Sequence, residues 1–238
     1  MYGLIDSHFH LDMYKNYNDI FQYLEKERQY TLCMTNSPGV FLSCQELFSN
    51  SKYVKFAIGF HPLNSDLTMR DMTDFKYLLK QTNYVGEIGL DFTQNKGIQK
   101  EEQIIFFDEI MSICSKYNKL MSIHIRGAEE EALHIISKYK PQRCIIHWYT
   151  GSTRIQKDFI KLGCYFSVNA NMLQNMEVVR AIPKDKILIE SDGPYSRVDG
   201  RRYIPQLLLK EYQIIARAIN EPDLIEIVYS NFKRLLQE

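Results

Sequence analysis

Two histidines stand two residues apart in the opening stretch MYGLIDSHFHLD: His8 and His10, flanked by Asp6 and Asp12. Neutral imidazoles and carboxylates are the donors that zinc and manganese take, and a larger share of carboxylate and water moves the preference toward magnesium. In an extended strand residues i and i+2 point the same way, so both rings can grip one ion. An HxH pattern alone is weak evidence, because two packed core histidines read the same. The other ligand-type residues decide it. His61 stands in GFHP, Glu87 in VGEIGLD, His124 in SIHIRG, His147 in IIHWYTGS and Asp192 in IESDGPY. Five of the six histidines belong to this set, and the sixth, His134, reads as an ordinary helix residue.

Each of these residues ends or follows a short apolar run. The runs at 3–6, 30–35, 54–59, 84–89, 120–125, 143–148, 164–168 and 186–191 read as strands, with helical patterns between them. In the stretch 98–118, Ile104, Phe107, Met111 and Cys114 recur at helical spacing. Ser37-Pro38 and Glu221-Pro222 read as helix starts with proline at the first helical position, and Ser152 as a helix cap. Eight strands alternating with helices over 238 residues predict an α/β protein of (β/α)8 TIM-barrel type, regular or distorted, forming a single domain over 1–238. A doubly wound open sheet is the second choice. In a parallel barrel all strand ends of one sense share a face, the face where such enzymes work. Packing alone would need a private partner for each of these buried polar groups. Four histidines (His8, His10, His124, His147) and two carboxylates (Glu87, Asp192) exceed the needs of one tetrahedral ion. They suit two divalent ions, zinc, magnesium or manganese, with Glu87, on a central strand, between them.

Composition limits the partners. Lys plus Arg and Asp plus Glu are both 29, so any grip on nucleic acid is local rather than spread over the surface. Cys33, Cys44, Cys114, Cys144 and Cys164 are odd in number, lack CxxC spacing and lie in apolar surroundings, which predicts packed thiols in a reducing compartment. No apolar run reaches membrane-spanning length, and the cytoplasm is the default expectation, with no membrane partner.

Taken in order, DSHFHLD, GFHP, GEIGLD, SIHIRG, HWYTGS and ESDGPY resemble the pattern of TatD-type metal-dependent deoxyribonucleases of the amidohydrolase superfamily, from about residue 4 to SNFKRLL near the C-terminus. That resemblance implies a TIM-barrel-like fold, divalent metals and hydrolysis of phosphodiester bonds in DNA, often from a 3′ end. It assigns His8, His10 and Asp192 to one ion, Glu87 to the bridge, His124 and His147 to the second ion, and His61 to the substrate phosphate. Four departures stand out: HPLN for the family's HPH, Ser191 for threonine, HWYTGS for the commoner HCFSG, and YSRVDGRRYIP after the last strand. None removes a ligand. YTLCMTNSPGVF, SIHIRGAEEEAL, IIHWYTGS and CYFSVNANML also resemble the QatD branch found in bacterial Qat anti-phage defence systems. This narrower likeness implies other Qat proteins, among them an ATPase and a QueC-like enzyme, as partners.

On this reading Asp192 serves as ligand and general base. Arg126 joins His61 at the phosphate, unless it pairs with Glu129 or Glu130 at a helix start. Trp148, Tyr149, Arg154, Tyr195, Arg197, Arg201, Arg202 and Tyr203 gather in the mouth loops, where aromatics with a basic patch suit single-stranded DNA. Packing of the loops is the competing explanation for any one of them. Two other functions remain open: a small-molecule hydrolase of the same superfamily, and a defence-complex subunit active only with its partners. Glu87 stands where many superfamily members carry a carboxylated lysine, which favours the nuclease branch.

Overall fold

The computed structural model describes residues 3–48, 51–94 and 96–237. All eight apolar runs form strands: β1 Ile5–Phe9, β2 Tyr30–Met34, β3 Val54–Phe60, β4 Tyr84–Asp91, β5 Leu120–Arg126, β6 Cys144–His147, β7 Tyr165–Val168 and β8 Ile187–Ile189. They lie side by side in chain order and pair in parallel. Helices α1 Tyr17–Lys26, α2 Pro38–Leu47, α3 Met69–Leu78, α4 Lys100–Lys116, α5 Glu129–Tyr139, α6 Thr153–Lys161 and α7 Met176–Arg180 fill the successive gaps. A short hairpin (β9 Arg197–Val198, β10 Arg201–Arg202) and helices α8 Leu208–Ile219 and α9 Leu224–Gln237 complete the chain. This is the (β/α)8 barrel. Strands covered on both faces are apolar throughout, which is why they read as unbroken runs rather than as alternation.

Local signals hold at several ends. Ser37 accepts a hydrogen bond from the Val40 amide at 3.2 Å, and Ser152 one from the Ile155 amide at 3.4 Å. In α4, Phe107, Met111 and Cys114 are buried and Ile104 is half-buried. All five cysteines are buried with free thiols. Strand ends shift by one to three residues from the apolar runs, and two boundaries bear on the reading. The first strand covers 5–9 rather than 3–6, so Asp6 and His8 lie inside it and His10 just beyond. The last helix begins at Leu224, because a turn from Glu221 to Leu224 takes up Pro222 first.

β1 and β8 stand at the two ends of the strand order, and the barrel is distorted where they meet. The Asp192 amide donates to the His8 carbonyl at 2.8 Å, and the His10 amide to the Gly193 carbonyl at 2.9 Å. Beneath them the buried Asp6 carboxylate accepts from the Ser191 amide at 2.9 Å and the Ser191 hydroxyl at 2.6 Å. The seam is therefore closed by the same residues that carry ligand-type side chains.

Register also slips where those side chains sit. β1 against β2 shifts between Asp6 and Phe9, and β4 shifts against both neighbours around Gly86-Glu87. Such bulges re-aim a side chain that regular alternation would send elsewhere. At the second bulge Thr35 reaches across β3, its carbonyl accepting from the Glu87 amide at 3.0 Å. Gly59 makes room: a Cβ there would collide with the Thr35 carbonyl and sit 3.0 Å from the Glu87 nitrogen. Gly59→Ala is expected to cost about 1–3 kcal/mol of stability through this overlap. A urea midpoint equal to the parent's would show that β2 and β4 do not need the gap.

Candidate metal centre and active site

The ends of five strands deliver six side chains to one buried cluster: His8 from β1, His10 just after it, Glu87 from β4, His124 from β5, His147 from β6, and Asp192 after β8. The two oxygens of Glu87 face different neighbours. Oε1 lies 2.8 Å from His124 Nδ1, 2.8 Å from His147 Nε2 and 3.3 Å from His61 Nε2. Oε2 lies 3.3 Å from His10 Nε2 and 3.6 Å from His8 Nε2. Asp192 Oδ1 joins this second group, 3.3 Å from His10 Nε2 and 3.6 Å from His8 Nε2.

This donor set fits cations. His8 Nε2 and His10 Nε2 are 3.2 Å apart, and His124 Nδ1 and His147 Nε2 are 3.3 Å apart. Two nitrogens on one tetrahedral ion, each bound at about 2.1 Å, stand about 3.4 Å from one another. His8, His10 and Asp192 form one close cluster, and Glu87 belongs to two others, with His8 and His147 and with His61 and His124.

The outer ring nitrogens decide which inner nitrogens keep a lone pair. Ser122 Oγ is 2.8 Å from His8 Nδ1, leaving Nε2 for the centre. Asp91 Oδ2 is 3.0 Å from His124 Nε2, which turns Nδ1 inward. Asp91 is itself held by the Thr93 amide at 2.9 Å and the Thr93 hydroxyl at 2.6 Å. Behind His147, Glu190 Oε2 stands 3.6 Å from Nδ1. His61 is oriented the opposite way. Its Nδ1 accepts from the Leu63 amide at 3.1 Å, so the neutral ring carries its proton on Nε2 and presents a donor to the centre. Sequence reasoning did not single out Asp91, Ser122 and Glu190. Asp91 carried a usable signal, lying four residues after Glu87 on the same strand and hence on the same face.

Mutual charge shapes the protonation of the cluster. Burial works to raise the Glu87 carboxyl, but the neighbouring His61 and His147, with bonds from His10 and His124, hold it well below the usual range. Burial works against charging His10, yet Asp192 and Glu87 push it up to about 10. Burial and the neighbouring His147 lower His8. Burial works to raise Asp192, and His10, His8 and His147 together bring it below its usual value.

The cluster floors a cavity of about 600 Å³ whose walls include His61, Arg126, Trp148 and Tyr195. The Arg126 guanidinium lies 5.2 Å from the centre of the Trp148 ring. Neither acid proposed as its salt-bridge partner takes it: Glu130 pairs with Arg154 at 2.8 Å, and Glu129 accepts from the Gly127 amide. Other mouth residues lie elsewhere. Arg201 and Arg202 sit on the exposed hairpin outside the cavity lining, Arg202 over Tyr14 with its Nε toward the Pro194 carbonyl. Tyr149 and Tyr203 are buried and pack the loops, so neither presents a stacking face to solvent. Leu63 lines the cavity in the HPLN departure, and the Ser191 hydroxyl serves in the seam.

A family model described as TatD related DNase matches residues 5–237. The chain belongs to the TatD family. Among its relatives, a metal-dependent hydrolase of Buchnera aphidicola is 29% identical, with 98% of each chain covered. The Escherichia coli metal-dependent hydrolase YcfH is 28% identical over 98% of this chain and 95% of its own length; both are called uncharacterized. The Schizosaccharomyces pombe deoxyribonuclease Tat-D is 34% identical over 48% of this chain and 38% of its own. The solved structure of the E. coli TatD homologue YjjV superposes with a TM-score of 0.86 at 20% identity, covering 98% of this chain and 97% of the other, which shows the shared fold.

Two outcomes are expected of this TatD-family cluster. Asp91→Asn and Glu190→Gln should weaken divalent-metal binding by about 10- to 100-fold, read by titration calorimetry. Because His10 holds its proton at neutral pH, a cation must displace it, so metal affinity should rise with pH and binding should release protons. Heats that do not vary between buffers of different ionisation enthalpy would contradict this.

Proposed function

We propose that this TatD-family protein is a metal-dependent hydrolase that cleaves phosphodiester bonds of DNA, the whole chain acting as one hydrolase domain. One observation carries the reading: the two oxygens of a single buried carboxylate, Glu87, face two separate sets of imidazoles. His8, His10, Asp192 and Glu87 Oε2 would hold one divalent cation, and Glu87 Oε1, His124 and His147 a second. Zinc, magnesium and manganese all suit the donors. Bound cations would supply Lewis acidity and an acidified water.

The chain's own residues supply the rest. Asp192 is held by backbone bonds at the seam, and its carboxylate takes the proton of the attacking water. His61 aims Nε2–H into the cavity, suited to a phosphate oxygen rather than to a cation. Arg126, without a carboxylate partner among the described residues and braced on Trp148, offers a planar fork to the same phosphate. Half-exposed Tyr195 provides a further surface for a base. A cleft with two aromatic rings and one guanidinium fits the end of a single strand better than a duplex, consistent with 3′-5′ exonuclease action.

The four segments that resemble QatD support work in the cytoplasm beside other Qat proteins, in anti-phage defence. Co-purification of these proteins with the tagged chain from its own cells tests that placement, and their absence would remove it. The activity itself is tested with a labelled single-stranded oligonucleotide and Mg²⁺, Mn²⁺ or Zn²⁺. Digestion should stop on chelation and resume when metal is restored. Glu87→Ala and Asp192→Asn should each lower the rate by at least about 10²-fold. Variants as fast as the parent would dismiss the site.

A further inference from the structure

A second, smaller cavity opens beside the catalytic one, and Trp148 borders both. Its volume is about 240 Å³, and its walls include Met172 and Val178 with the amides Asn171, Gln174 and Asn175. Among the described residues, no charged side chain lines it. A phosphate would find no cation there, and a carboxylate no partner. Apolar walls with a few neutral amides at the rim suit a flat, neutral, hydrogen-bonding ring.

Three features show that the cavity is built rather than incidental. Trp148 directly follows His147, and its backbone sits in the left-handed region at φ 38°, a conformation a bulky side chain rarely adopts. Such a residue persists where its surroundings hold it, and here the result is an indole standing between the two cavities. Arg126 lies over that ring and lines only the catalytic cavity. Asn171 is oriented as well: its Oδ1 accepts from the Arg197 amide at 3.0 Å, so the Nδ2 group remains as a donor. A fixed amide donor beside an aromatic wall can donate to a base carbonyl or ring nitrogen.

We propose that this cavity is a nucleobase subsite, in which the base next to the scissile phosphate stacks on Trp148 and is selected by Asn171, with Gln174 and Asn175 at the exposed rim. The proposal rests on the reading of the protein as a DNA hydrolase and gives that site a base preference. A site that only grips phosphates would treat the four bases alike. This one favours the bases whose acceptor atom comes within reach of the Asn171 amide when the ring is stacked on Trp148.

Trp148 is the only tryptophan in the chain, so its fluorescence reports on the two cavities it borders, and Asn171, which lines only the smaller of the two, assigns the signal. The metal-loaded protein is titrated with each of the four deoxynucleoside 5′-monophosphates and with deoxyribose 5-phosphate, which has no base. Nucleotides should quench the emission and the base-free sugar phosphate should not. In cleavage assays, an oligonucleotide with an abasic residue at the position entering the cavity should show a KM about tenfold or more above that of the intact strand. Trp148→Ala should raise KM for the intact strand by a similar factor and erase the penalty for the missing base, while Trp148→Phe should restore it. Asn171→Leu should flatten the order of affinity among the four nucleotides, read by calorimetry, and serves if Trp148→Ala fails to fold. Absence of quenching by every nucleotide, or equal KM for intact and abasic strands, overturns the subsite. Failure of the wider reading looks different: no oligonucleotide is cleaved by the parent protein, while nucleotides still quench.

Discussion

A buried carboxylate surrounded by imidazoles is the constraint on which this molecule turns. Glu87 is buried at the centre of the barrel mouth, and an isolated ion there would be costly. Its charge is sustained because four ligand-type histidines and His61 stand against its two oxygens. Those histidines are in turn crowded against one another, so carboxylate and rings stabilise a cluster that neither would tolerate alone. Placing Glu87 demands the bulge in β4, the Thr35 carbonyl reaching across β3, and a glycine at 59 to let it through.

The seam between β1 and β8 obeys the same logic. Hydrogen bonds that close the barrel come from Asp6, His8, His10, Ser191, Asp192 and Gly193, so barrel closure and ligand geometry are one set of contacts. Asp192 and Trp148 both sit at positive φ, one after β8 and one after β6. Both are the turning residues from which a strand end meets the mouth. Strain of this kind concentrates where a side chain must be aimed against the backbone's preference.

Around the inner donors runs a ring of outer ones. Ser122 and Asp91 fix the orientation of His8 and His124, while the Leu63 amide turns His61 into a donor. Identical side chains thereby acquire different tasks, two presenting lone pairs and one presenting a proton. Burial explains why so few contacts suffice: in a low-dielectric pocket each hydrogen bond or nearby charge weighs more than at the surface.

The sequence by itself determined the eight strands, the alternation with helices and the ligand-type residues at the strand ends, because apolar runs and short polar motifs are local features of the chain. It placed β1 two residues early, since the buried Asp6 and His8 interrupt the apolar pattern that marks a strand. It also assigned Tyr149, Tyr203, Arg201 and Arg202 to the mouth, where the fold buries the first two and carries the arginines onto an outer hairpin. Composition tells which residues share a loop but not which way the loop turns them. Only the tertiary structure decided how Glu87 divides its oxygens, which nitrogen of each histidine faces inward, and that Asp91 and Glu190 stand behind the rings. Those outcomes depend on bulges and on contacts between residues tens of positions apart, and a local pattern carries no record of either.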